Sequence, residues 1–301
     1  MYDIENYYNA KSVSEAIALL TEHPDARIIS GGSDVLIKIR EGKMAGSFLV
    51  SIRDIEEIKG VEKKDSGDIY IGAGTVFSHI TADPVIQECI PVLGEAVDQV
   101  GGPQIRNIGT IGGNICNGAV SADSVPTVFS YNALLKIANA GGGRTVPVRE
   151  FYLGPGRVDL HPGEVLTHVI IPRAEYEGYH GHYIKYSMRN AMDIATLSCS
   201  VVSRIDSAKN ILEDVRITFG VAAPVPYRCV ETEELLKGQK PGEELYQKLE
   251  DSIRKEIHPR DSWRASRDFR LQISGEIARR ALIQTVKLAG VPAKDQGGEE
   301  A

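Results

Sequence analysis

Two glycine pairs constrain this 301-residue chain more than any other feature. Gly31-Gly32 follows the apolar run Arg27-Ile28-Ile29 and precedes Ser33-Asp34 and a helical turn, Val35 to Arg40. Gly112-Gly113 sits in Thr110-Ile111-Gly112-Gly113-Asn114, which reads as part of a second glycine-broken strand, Ile111 to Ile115. Glycine lets a backbone take positive φ and come close to a ligand. Successive N–H groups ahead of a helix make a concavity for an anion. Ser33, Thr110 and Asn114 add side-chain donors. Taken alone, each loop is more readily an ordinary tight turn or a strand bulge. Together, with no lysine near either, they suit a ligand gripped by backbone dipoles, such as a pyrophosphate between two nucleoside halves. Neither is a GK[ST] P-loop, and neither is the GxGxxG dinucleotide fingerprint.

The surrounding pattern is α+β. Ser12 to Leu20 reads as an amphipathic helix with Ser12 or Ser14 as N-cap. Strands are expected at Arg27–Ile29 and Phe48–Ile52, closing a small helix–strand unit near Ile55. Ile69–Gly72 is a further strand and Ile86–Val100 a helix, stopped by Gly101-Gly102-Pro103. Leu134–Ile137, Thr145–Val148 and Val165–Ile171 suggest an antiparallel sheet, with Gly141-Gly142-Gly143 as one turn. Residues 173–182 look like the main boundary. Beyond it come three strands, Tyr183–Ser187, Ala195–Ile205 and Val215–Val221. Helices follow at Thr232–Lys237 (Thr232 its N-cap), Gly242–Ile257 and Asp268–Leu288. The domains are therefore expected at 1–175, in subdomains of about 1–55 and 56–175, and at 176–291. A polar tail, 292–301, is expected to be disordered.

Charge and cysteine usage narrow the function. A net charge of −7 argues against a nucleic-acid partner. No apolar stretch approaches the roughly 20 residues that span a bilayer, and the N-terminus is acidic, so a cytoplasmic protein is the simplest expectation. Cys89, Cys116, Cys199 and Cys229 form no CxxC pair, so any iron–sulfur cluster belongs to another chain. His180-Gly181-His182 lacks an evident third metal ligand, and no nucleophile has a persuasive His and Asp partner.

Asp123, in Ser121-Ala122-Asp123-Ser124, is either an N-cap or an acceptor for a ribose or ribityl hydroxyl. The ordered set Gly31-Gly32-Ser33-Asp34, Gly101 to Asn107, Thr110 to Asn117 and Ser121 to Ser124 resembles the FAD-binding subunits of the molybdenum hydroxylases, most closely the bacterial xanthine dehydrogenase type. Phe151–Gly156, Lys185–Ile194, Phe219–Pro224 and Trp263–Ser266 extend the likeness over nearly the whole chain.

That resemblance implies a vanillyl-alcohol-oxidase-type (PCMH) domain of two α/β subdomains holding FAD non-covalently, followed by a C-terminal three-stranded antiparallel sheet with helices. Arg27, Ile28, Ile29, Ser30, Gly31, Gly32, Ser33, Asp34 and Val35 would hold the pyrophosphate, with Thr110, Gly112, Gly113 and Asn114 on its other side. Asp123 would bind along the ribityl–ribose chain, and Val100 and Gly101 would lie by the adenine. Leu166 and Lys185 match further FAD-contacting positions. Tyr152, Arg189 and Asp193 would lie near flavin or nicotinamide. Pro155-Gly156 departs from relatives with an aromatic residue there.

The resemblance also implies partners. A large subunit carries the molybdenum cofactor and hydroxylates a purine; a small [2Fe–2S] subunit relays electrons to FAD; NAD, or O2, is the acceptor. The cysteine spacing argues against the sister family of 4-hydroxybenzoyl-CoA reductases, whereas a carbon monoxide dehydrogenase medium subunit shares the same flavin residues. An assembly protein with a vestigial pocket is the remaining alternative.

Overall fold

The structure is a computed structural model describing residues 2–291, so the expected disordered tail lies outside the described residues. Its first unit runs β1 (Ile4–Asn9), α1 (Val13–Glu22), β2 (Arg27–Ile29), α2 (Val35–Arg40) and β3 (Ser47–Ser51). The strands form a parallel sheet in the order β1-β3-β2. Ser12 caps α1 by accepting the Glu15 N–H, and Ala16, Ile17 and Leu20 carry the buried face. Strand β1 has no counterpart in the sequence reading, because most of its side chains are exposed and no apolar alternation marks it. Its ladder to β3 holds it instead.

The second unit begins with β4 (Val61–Lys63) and β5 (Ile69–Gly72). Six short helices follow: α3 (Phe77–Ala82), α4 (Pro84–Cys89), α5 (Pro91–Asp98), α6 (Pro103–Arg106), α7 (Ile111–Cys116) and α8 (Ser124–Ser130). Then come β6 (Leu134–Ala138), β7 (Arg144–Pro147), α9 (Val148–Phe151), β8 (Tyr152–Gly154), β9 (Arg157–Val158), β10 (Val165–Ile171) and α10 (Arg173–Tyr176). An antiparallel sheet, β4-β5-β10-β6-β7, backs the helices, and β8-β9 form a separate ribbon. The Gly141–Gly143 segment links β6 to β7, as its composition predicts.

Two expectations fail here for local reasons. The single helix over Ile86–Val100 is broken at Pro91, which starts α5 while Ile90 leaves the helical region at φ −142°. The strand expected at Ile111–Ile115 is the helix α7. Thr110 accepts the Gly113 N–H at its N-terminus, and Ile111 and Gly112 donate outward to Thr75 O and Ala73 O.

The third unit is β11 (His180–Tyr186), β12 (Leu197–Asp206), β13 (Ile211–Gly220), β14 (Tyr227–Arg228), α11 (Val230–Leu236), α12 (Glu243–Glu256) and α13 (Arg267–Leu288). Two-residue β14 adds a fourth antiparallel strand to the three expected. Thr232 does not cap α11, which starts earlier; its hydroxyl donates to Glu256 at 2.6 Å. Ser266 caps α13 through the Phe269 N–H. Buried α8 packs on β12 and β13, where Ser130 Oγ donates to Thr218 Oγ1 at 2.9 Å. Tyr183 and Val202, on β11 and β12, join the apolar core of the second unit, so the second and third units share a buried surface.

Candidate functional site

A cavity of about 490 Å³ is walled by the loop from β2 into α2, by Phe77 of α3, by the stretch from Val100 to Asn117 that holds α6 and α7, and by the start of β10. That size suits a small-molecule or cofactor site. Of the residues singled out in the sequence, Arg27, Ile28, Ser30, Gly31, Gly32, Ser33, Asp34, Val35, Val100, Thr110, Gly112, Gly113, Asn114 and Leu166 line it. Ile29 does not; it packs behind with Ile39 and Leu49. Gly101, Asp123, Tyr152, Lys185, Arg189 and Asp193 also lie outside the lining.

The first loop presents donors. Gly32 sits at φ +72°, a left-handed turn that glycine makes without strain. Among the described residues, the amides of Gly31, Gly32, Ser33, Asp34 and Val35 donate to no protein acceptor. Five successive free N–H groups on a cavity wall are costly unless water or a ligand accepts them. An anionic group such as a pyrophosphate supplies those acceptors, so the residues fit the dinucleotide that the sequence suggests.

A lysine missed by the sequence reading is present. Lys38 lines the cavity one turn after Asp34, pairs with it at 2.6 Å, and donates to Asn117 at 3.1 Å. The i, i+4 spacing of Asp34 and Lys38 on α2 was the signal available. The first loop therefore has a lysine beside it, contrary to the expectation of none.

The second loop is built differently. Ile111, Gly112 and Gly113 commit their amides to Thr75 O, Ala73 O and Thr110 Oγ1. A Cβ on Gly112 would lie 2.6 Å from Ala73 Cβ, so glycine is required there for loop-to-strand packing. What remains for a ligand is the Thr110 hydroxyl proton and the Asn114 amide, whose oxygen already accepts from Ser124 at 2.7 Å. Phe77, Val100, Ile105, Leu160 and Leu166 supply apolar wall. Cys116 also lines the cavity, and burial pushes its thiol up to about 12.

Asp123 and Lys185 form a closed, buried pair at 2.9 Å. The other Asp123 oxygen accepts from Tyr183 at 2.8 Å, and Lys185 also donates to Gln99 O at 2.8 Å. Asp123 occupies the N-cap position of α8 but makes no capping bond. Burial pushes its carboxyl up, opposed by Lys185 and Tyr183. Tyr152 is buried, donates to Ile115 O at 3.1 Å and packs edge-on against Phe129 and Phe151, whereas Gly156 reaches the cavity. Arg189 and Asp193 pair with each other on the exposed stretch after β11. His182 pairs with Glu95, and among the described residues no three metal-ligating side chains converge. Among the same residues no helix is long and apolar enough to cross a membrane.

The family described as "FAD binding domain in molybdopterin dehydrogenase" matches residues 2–174, and the "CO dehydrogenase flavoprotein C-terminal domain" matches residues 182–285. The chain belongs to this FAD-binding family of the molybdenum hydroxylases. It is 36% identical to a xanthine dehydrogenase FAD-binding subunit of Escherichia coli O157:H7, over 96% of this chain and 99% of that one. Among solved structures, carbon monoxide dehydrogenase of Hydrogenophaga pseudoflava matches with a TM-score of 0.89 at 29% identity, covering 96% of this chain and 99% of that one. Quinoline 2-oxidoreductase of Pseudomonas putida 86 gives 0.90 at 25%, with the same coverage. FAD is thus the cofactor of this family member, and the mixed fold, with helices and an antiparallel C-terminal sheet, is the family's own.

Proposed function

We propose that this chain is the FAD-carrying subunit of a heteromeric molybdenum hydroxylase of the xanthine dehydrogenase type. The observation that carries the FAD part of this reading is the run of free amides from Gly31 to Val35 on the wall of a cavity of about 490 Å³, and the 36% identity to the Escherichia coli subunit supports the type. Those amides would hold the pyrophosphate, Lys38 and Arg27 would add positive charge, and Thr110 and Asn114 would close the opposite side. Asp123 and Lys185 would brace the neighbouring wall through Gln99. FAD bound there supplies a redox centre between a [2Fe–2S] partner subunit and NAD or O2, while a molybdenum-containing large subunit hydroxylates the purine. The chain's own residues position and exclude water; the cofactor carries the electron chemistry.

The purified chain is expected to show flavin absorption without iron–sulfur bands. A colourless protein that takes up no FAD sinks the reading. Co-purified partners are expected to oxidise xanthine with NAD⁺. The likeness to carbon monoxide dehydrogenase supports a second reading, a medium subunit of that type. Oxidation of carbon monoxide but not xanthine by the same complex would favour it.

A further inference from the structure

Helix α5 ends at Asp98, and the three carbonyls that follow it are each taken by a cation. Gln99 O accepts from Lys185 Nζ at 2.8 Å. Val100 O and Gly101 O accept from Arg106 Nη1 at 3.3 and 3.5 Å. Arg106 Nε in turn pairs with Asp98 at 3.1 Å, closing a ring around the turn. Positive charge at these carbonyls also complements the negative end of α5.

The turn so held is tightly packed. Gly101 stands at φ +54°, and a Cβ there would lie 2.9 Å from Ile105 Cβ. Val100 and Ile105 both line the cavity, and Phe77, packed at Gly109, continues the same apolar wall. A flat heteroaromatic ring is the ligand part such a wall suits. Arg106 does not line the cavity itself.

We propose that Arg106 is a positioning residue: by gripping Val100 O and Gly101 O it sets the apolar wall against which one ring system of the dinucleotide lies. The inference rests on the cavity being the FAD site. Both ring systems of FAD have the required chemistry, so the test separates them with ADP and FMN.

Flavin-free full-length chain is titrated calorimetrically with FAD, ADP and FMN. Arg106→Gln is expected to weaken FAD about tenfold, the scale of a lost charge-assisted contact. The same factor is expected for one of ADP and FMN, with the other changed less than about twofold, because a single wall is disturbed. Arg106→Lys recovers part of the loss. Asp98→Asn, at an exposed carboxylate, is expected to weaken FAD about threefold with the same ligand pattern, and it covers the case in which Arg106→Gln fails to fold. Unchanged FAD affinity in the folded variants overturns the proposal, as does equal weakening of ADP and FMN. If the unaltered chain itself takes up no FAD, the site assignment falls first and this inference with it.

Discussion

The Gly31-Gly32 loop leaves its amide hydrogens free on the cavity wall, whereas the Gly112-Gly113 loop commits its own to Thr75, Ala73 and Thr110. Two segments with the same pair of residues thus differ in what their amides do, although both rest on protein: a Cβ on Gly31 would lie 1.9 Å from Ile108 O. In the first, Gly32 turns the chain left-handed so that a row of donors faces the ligand space. In the second, as at Gly31 in the first, glycine is demanded by the backbone it rests on, but here the amides are taken as well. The lesson is that a glycine pair marks a close approach but does not say whether a ligand or the protein itself approaches.

Gly112→Val puts that contrast under the greatest strain. Its Cβ would meet Ala73 Cβ and O at 2.6 and 2.7 Å, so the flavin-free protein should lose about 3 kcal/mol of stability. Urea unfolding reads this directly. A variant of normal stability that binds no flavin would place a ligand, not Ala73, against Gly112 and erase the contrast.

Thr110→Val comes next. It strips the Gly113 N–H of its acceptor, a cap loss of about 1 kcal/mol in the same measurement. Lys38→Met tests the first loop instead. The Asp34–Lys38 pair is well exposed, so stability should barely move. FAD affinity should fall roughly fivefold, and less at high salt, as expected for a cation acting on a phosphate. An unaltered affinity would leave the free amides as the first loop's whole contribution.

The smallest effect concerns wall that both loops share. Glu164 precedes Val165 and Leu166, and burial pushes its carboxyl up, but Arg144, the His161 N–H and Asn139 more than offset this and hold it below 4.5. A carboxyl lowered by folding contributes stability that is complete above its unfolded value and is lost as pH falls through the folded one. Melting temperature should therefore decline below about pH 4.5 more steeply in the parent than in Glu164→Gln. Parallel profiles would remove Glu164 from the account.

Much of this was legible because strong local signals agreed with the fold. The apolar run Arg27–Ile29 ending in two glycines marked the cavity's edge, and Ser12 marked a helix start that its hydroxyl does cap. Where tertiary bonding decided, the sequence misled. Ile-Gly-Gly-Asn-Ile reads as a glycine-broken strand, yet the Thr110 cap and the Asn114 N–H to Thr110 O bond make it helix, with its first amides taken by Thr75 and Ala73. Asp123 offered a choice between cap and ligand acceptor; its actual partners, Tyr183 and Lys185, are 60 and 62 residues away. No spacing rule reaches that far. Lys38 was legible and overlooked, since it stands one helical turn from Asp34.

Lys185 stands on β11, outside the cavity, yet its ammonium holds both Asp123 and the carbonyl that precedes Val100. A ligand that binds only the folded state stabilises whatever must be folded to receive it. Loading with FAD is therefore expected to slow amide exchange in β11 and β12, strands with no share in the wall. The C-terminal sheet would then act as a thermodynamic gauge of cofactor occupancy, and damage to it would surface first as a subunit that sheds its flavin.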